Sequence, residues 1–254
     1  MQAIWKGHIS FGLVSVPVSL YSGTEDRRVS FKMLHAKDNS PIRYKKVCEK
    51  EDTEVPKGEI VKGYELDDGR FVILTDEDFD KVSPELTKTI NIVNFVKVDL
   101  LDPVWMDRPY YLEAREGGET PYELLRLALE QTGYVGVCKV VLRNREHLAG
   151  LIPREGMLVL ELLRFSDEIR SAGKLSKPSG VKVEKKQLEL AKELINRIAE
   201  EFHYEQYVDE YSQQLKNMIE QKAKGRKVVA PRKKKAPEVE NLMDALQKSL
   251  KQAA

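Results

Sequence analysis

Ile9-Ser10-Phe11-Gly12-Leu13-Val14-Ser15-Val16-Pro17-Val18-Ser19-Leu20 is the stretch on which the reading of the fold turns. Ile9, Phe11 and Leu13 alternate with small or polar residues, and the apolar phase then moves to Val14, Val16, Val18 and Leu20. A period of two marks a strand with one face on a core, and a phase change within a strand predicts a bulge, a feature common in barrels. Outward from it, Val29, Phe31 and Met33 alternate with Arg28, Ser30 and Lys32, which predicts a half-buried strand with a basic outer face. Ile90, Ile92, Val96, Val98 and Leu100 predict a strand over 90–100, and Tyr134 to Leu142 a buried one. Leu148–Ile152 and Met157–Leu163 predict a hairpin around Pro153-Arg154-Glu155-Gly156. Two helices interrupt the strands. Thr75 with Asp78 three residues on is a variant capping box, and Thr120-Pro121-Tyr122-Glu123 opens a helix carrying Leu124, Leu125, Ala128 and Leu129 that stops at Gly133. Residues 1–165 therefore read as one mainly β domain.

Residues 41–74 differ from the rest of that domain. Ile42, Tyr44 and Val47 are interleaved with Arg43, Lys45 and Lys46, and Asp68-Gly69 predicts a hairpin turn. Apolar content is thin, so with the short helix that follows, about 41–80 reads as an excursion away from the core.

From Ser166 the character changes. Residues 171–182 are rich in Ser, Gly, Lys and Pro and read as a linker. A helix over about 184–202 places Ala191, Leu194, Ile195, Ile198 and Phe202 on one stripe, and a second over about 204–222 does so with Tyr204, Tyr207, Val208, Tyr211, Leu215, Met218 and Ile219. Residues 166–221 thus form a linker and helical arm, and 222–254 a basic tail ending in a short amphipathic helix marked by Leu242, Met243, Leu246 and Leu250.

The net charge of +1 conceals an asymmetry. Residues 221–254 carry ten basic and three acidic groups, +7, which leaves 32 basic and 38 acidic, −6, on residues 1–220. A basic tail on an acidic body favours polyanions. Cys48 and Cys138 have no metal-type spacing, and a reducing compartment is the default for unpaired cysteines. The N-terminus lacks the apolar core of a signal peptide, and no segment has the ~18–20 apolar residues of a membrane span, so the expectation is a cytoplasmic, nucleoid-associated protein with no membrane partner.

No phosphate-cradling glycine loop, nucleophile elbow or metal-ligand spacing is present, so no cofactor is expected. His8, His35, His147 and His203 are scattered, and Thr75-Asp76-Glu77-Asp78 is read as a helix start whose acids oppose the macrodipole. The basic groups carry more information. Arg43, Lys45 and Lys46 lie on one strand, Lys62 and Arg70 on the neighbouring part of the excursion, and Arg143 and Arg145 in a turn. Such arrays bind phosphate backbones without reading bases, although a charged strand face is ordinarily just solvated. In the tail, Lys222, Lys224, Arg226, Lys227, Arg232, Lys233, Lys234 and Lys235 follow one another without an acid, a pattern that fits nucleic acid or a solubilising tail.

The run from Ile4 to Val18, IWKGHISFGLVSVPV, resembles the opening of the bacterial Ku proteins. So do YSGTEDRRVSF at Tyr21–Phe31, IRYKKVCEKEDTEV at Ile42–Val55, IVKGYE at Ile60–Glu65, FVILTDEDF at Phe71–Phe79, VLRNREHLAGLIP at Val141–Pro153 and FHYEQYVDEYSQQL at Phe202–Leu215. The resemblance covers essentially the whole chain. It implies a β-barrel core with C-terminal helices and a long bridge, two subunits joining as a homodimer so that the bridges close a ring, and a DNA duplex threading that ring. It also implies a non-enzymatic role in non-homologous end joining with a ligase D as partner. The excursion falls where the bridge lies, which makes Arg43, Lys45, Lys46, Lys62 and Arg70 candidates for the channel, with Arg143 and Arg145 carried over less directly. The large N-terminal α/β domain of the eukaryotic subunits is lacking, so functions placed there do not transfer. The terminal helix residues Leu242, Met243, Leu246 and Leu250 are candidates for docking on the ligase.

Two other classes stand beside the clamp. A nuclease acting on ends would need clustered carboxylates and a metal. A general DNA-coating protein would bind closed circles as well as linear duplex.

Overall fold

The computed structural model of the chain describes residues 1–82, 88–226 and 242–252. Strands β1 (Trp5–Phe11), β2 (Val14–Ser22), β5 (Thr89–Lys97), β6 (Met106–Ala114), β7 (Tyr134–Leu142), β8 (Arg145–Arg154) and β9 (Met157–Leu163) form a closed barrel in the order β1-β2-β6-β9-β8-β7-β5. Every neighbouring pair is antiparallel except the closing one, where β1 runs parallel to β5 with Ile9 opposite Ile90. The barrel interior is filled by one side of each strand. Ile9, Val16, Val18, Leu20, Ile90, Leu112, Leu151, Leu158 and Leu160 have no exposed surface, and Cys138 and Val140 join them. Burial pushes the Cys138 thiol up to about 12. Helix α2 (Glu119–Thr132) lies against the barrel with Tyr122, Leu125 and Leu129 in the same core. It stops at Gly133, whose φ of 65° is the left-handed cap conformation that costs glycine little.

The phase change in Ile9–Leu20 proves to be a hairpin, not a bulge. Phe11 pairs with Val14 and Ile9 with Val16, so Gly12 and Leu13 are a two-residue turn, with φ of 60° at Gly12. Opposed residues of an antiparallel pair face the same side, so the apolar phase is continuous through space although it breaks along the chain. Register shifts lie elsewhere, in β5 against β7 between Ile92 and Asn94, and in β6 against β9 between Met106 and Arg108. The strand predicted over 90–100 ends at Lys97, and Val98–Leu100 form a 3₁₀ turn. The strand predicted around Val29, Phe31 and Met33 is not formed, and Phe31 and Met33 are exposed. The α2 cap lies two residues before the expected Thr120, at Gly118, and the helix starts at Glu119.

From Lys32 to Val82 no residue is buried. Single bridges join Leu34 to Pro41 and Val47 to Glu54, and β3 (Lys62–Glu65) pairs with β4 (Phe71–Leu74) about the turn at Gly69. Helix α1 (Asp76–Val82) follows, capped reciprocally: the Asp78 N–H donates to Thr75 Oγ1, and Thr75 N–H and Oγ1 both donate to Asp78 Oδ2. The Thr75 N–H, and then its hydroxyl, hold the Asp78 carboxyl below the usual carboxylate range.

Residues 28–31 and the described residues from 172 onward form a second compact unit. It holds α3 (Lys185–Ile198), α4 (Glu210–Ala223) and α5 (Leu242–Gln252). The second arm helix is shorter than its apolar stripe suggested. Tyr204, Tyr207 and Val208 precede it, because the Asp209 side chain accepts from the Ser212 N–H and starts the helix there. Phe202 likewise lies beyond α3. Helix α5 packs on α3, with Leu250 buried and the Arg197 guanidinium donating to its carbonyl at 3.4 Å.

Candidate nucleic-acid interface

The excursion combines charge and apolar surface without a single buried residue. Ile42, Tyr44, Val61, Tyr64, Phe71 and Ile73 are all exposed on it. A monomer gains nothing from such surface, and patches of this kind mark contact with another molecule.

Its basic groups are not equivalent. Lys45 is ion-paired with Glu54 across the Val47–Glu54 bridge. Lys62 reaches from β3 to Asp76 of α1 at 3.2 Å and sits over the Phe79 ring at 4.4 Å. Arg70 folds back on Asp68 at 2.7 Å, and the Arg70 backbone N–H, then its side chain, lower the Asp68 carboxyl below its ordinary range. Arg43 and Lys46 make no ion pair among the described residues. The five groups lie on one exposed segment, with three already engaged and two available.

Arg143 and Arg145 lie apart from these, at one mouth of the barrel. Arg143 and Asn144 form the two-residue turn between β7 and β8, with φ of 50° and 64°. Left-handed backbone in a long-chain residue is strained, at a cost on the order of 1–3 kcal/mol. Arg108, at the start of β6, lines a 380 Å³ pocket with Arg143 and Arg145. The sequence offered no signal for Arg108, because Asp107, Arg108 and Pro109 break the alternation of β6 and that strand was not anticipated.

In the tail, Lys222 closes α4, and Lys224 and Arg226 follow it. Lys227, Arg232, Lys233, Lys234 and Lys235 lie outside the described residues. Of the terminal docking candidates, Leu242 is exposed, while Met243 and Leu246 are half-buried and Leu250 buried where α5 meets α3. Among the described residues no three His, Cys, Asp or Glu side chains come together as metal ligands, and no helix there is long and apolar enough to cross a membrane.

A closed β-barrel that sends out a long, charged excursion with no buried residue is the class of protein this architecture defines. Residues 10–190 match the family described as the Ku70/Ku80 beta-barrel domain. The chain is 40% identical to the non-homologous end joining protein Ku of Opitutus terrae, over 99% of this chain and 92% of that one. It is 42% identical to the protein of that name from Archaeoglobus fulgidus, over 98% of each, and 37% identical to that of Bacillus subtilis, over 98% of this chain and 82% of the relative. The chain belongs to the Ku family.

Proposed function

We propose that this chain is a sequence-independent clamp for the ends of double-stranded DNA, acting without catalysis of its own in non-homologous end joining. Two copies associate through a homodimer interface so that their excursions close a ring around the duplex, and a ligase D is recruited through the C-terminal helix. The observation that carries the reading is the excursion itself. Fifty-one residues, Lys32 to Val82, leave the core without burying one side chain, and they carry Arg43, Lys45, Lys46, Lys62 and Arg70. The relatives' shared name, non-homologous end joining protein Ku, supports the same role.

The physics of the task agrees with that arrangement. A clamp for any sequence must contact phosphate and sugar, since base edges carry the sequence. Lys32–Val82 carries ten basic and thirteen acidic groups, so contact with phosphate there rests on local basic clusters such as Arg43, Lys45 and Lys46, while the net −6 on residues 1–220 disfavours adhesion of DNA elsewhere on that surface. A two-fold dimer presents every contact twice, and it gives the exposed apolar residues of the excursion a partner.

The test is the triple variant Arg43→Glu, Lys45→Glu, Lys46→Glu. Charge reversal at phosphate contacts turns attraction into repulsion, so the variant is expected to remain a folded dimer and lose binding to linear duplex. Near-normal binding by the folded, dimeric variant would move the DNA surface away from the excursion.

A further inference from the structure

The pocket at the barrel mouth has a chemistry of its own. Ligand sites recur in the mouths of β-barrels, where strand ends converge around a concave surface. Here the beginnings of β1, β6 and β8 meet the ends of β2, β9 and β7: Trp5 is opposite Leu20, Arg108 opposite Leu162, and Arg145 opposite Leu142. Three guanidinium groups, Arg108, Arg143 and Arg145, line the pocket together with His147. The nearby carboxylates do not neutralise them. Asp107, the acid in the lining, is paired with Arg164, and Glu146 with Lys139 at 3.1 Å. None of Arg108, Arg143 and Arg145 makes an ion pair among the described residues.

The rest of the lining is aromatic and aliphatic. Trp5 and Tyr110 lie beside the arginines. The Trp5 ring is pressed so closely over Gly7 that a Cβ there would come within 2.2 Å of the ring, and within 2.1 Å of the Lys88 carbonyl oxygen. The ring is therefore held in place by its own strand. Arg143 is presented from a left-handed turn position, φ 50°, where a glycine or asparagine would be at ease. Strain of this kind concentrates at sites of function.

Unneutralised guanidinium groups select phosphate, binding it with two parallel hydrogen bonds each. Rigid aromatic rings select a flat heterocycle. A volume of 380 Å³ lies at the small end of ligand pockets. We propose that the mouth of the barrel is a binding site for a single nucleoside phosphate, its phosphate held by Arg108, Arg143 and Arg145 and its base against Trp5. The ligand is either a free nucleotide or the phosphorylated terminal nucleotide of a DNA strand. This goes beyond the clamp and does not depend on it.

The experiment is calorimetric titration of the full chain, without duplex DNA, by adenosine 5′-monophosphate, adenosine and inorganic phosphate. The expected result is one nucleotide per chain, bound at least about tenfold more tightly than adenosine or phosphate alone. Arg108→Gln and Arg143→Gly should each weaken nucleotide binding by about tenfold or more, the loss of a charge-assisted contact. Arg143→Gly suits the turn, so its thermal midpoint should be unchanged or higher, and loss of binding there is not loss of fold. Displacement of the nucleotide by an equimolar 5′-phosphorylated tetranucleotide assigns the site to strand termini; retention assigns it to free nucleotides. Adenosine binding as tightly as the monophosphate, or Arg143→Gly binding within twofold of the parent, would overturn the proposal.

Discussion

Lys62 Nζ lies 3.2 Å from Asp76 Oδ1, tying the β3–β4 hairpin to the start of α1. The same excursion pairs Lys45 with Glu54. Both lysines are exposed, so these pairs contribute little to stability, yet each must open before its lysine can hold a phosphate.

The double variant Glu54→Gln, Asp76→Asn should therefore bind linear duplex more tightly than the parent at low salt, by a factor of about two to five. Fluorescence anisotropy with an end-labelled duplex measures it. Weaker binding by the variant would show that the carboxylates orient the lysines for DNA.

Tyr122 is buried in the barrel core. Its hydroxyl donates to the Leu112 carbonyl at 2.6 Å and accepts the Leu158 N–H at 2.8 Å, joining α2 to neighbouring strands β6 and β9. Tyr122→Phe leaves a buried donor unpaired and should cost about 1–3 kcal/mol, lowering Tm by about 3–10 °C in a thermal melt. Burial raises the Tyr122 phenol above its ordinary value. A raised folded-state value means that this contribution is intact below pH ~10 and is lost as pH climbs past it. The parent should lose stability above about pH 10 more steeply than the phenylalanine variant.

The terminal helix α5 is seated on α3 through Leu250, with Met243 and Leu246 half-buried. Leu246→Asp should release it, seen as faster amide exchange over residues 243–251 with the barrel amides unchanged. The same variant is expected to lose stimulation of ligase D while retaining duplex binding. Full stimulation by the released variant would remove α5 from the ligase contact.

What the sequence made legible follows from where local signals and tertiary structure agree. The buried strand Tyr134–Leu142, the Met157–Leu163 strand of the hairpin, the Gly133 stop and the Asp68-Gly69 turn were readable because alternation and turn chemistry coincide there. The hairpin at Gly12-Leu13 was not, because an apolar turn residue hides the break. Alternation at Val29, Phe31 and Met33 misled because no neighbouring strand exists to pair with it, and strand propensity without pairing decides nothing. Strand β6 escaped because Pro109 and two charges interrupt it, although it lies between β2 and β9. The excursion's basic residues were visible as a pattern, but their ion pairs are made by acids up to 14 positions away, and the meeting of Arg108 with Arg143 and Arg145 is a product of the strand order β6-β9-β8-β7.

A ring that captures ends distinguishes linear duplex from covalently closed circular duplex of the same sequence in a competition assay with the full chain in EDTA. A clamp binds the linear form and leaves it uncut, while closed circle competes weakly. Equal competition by the closed circle, or metal-dependent shortening of the linear form when magnesium replaces EDTA, would contradict the account.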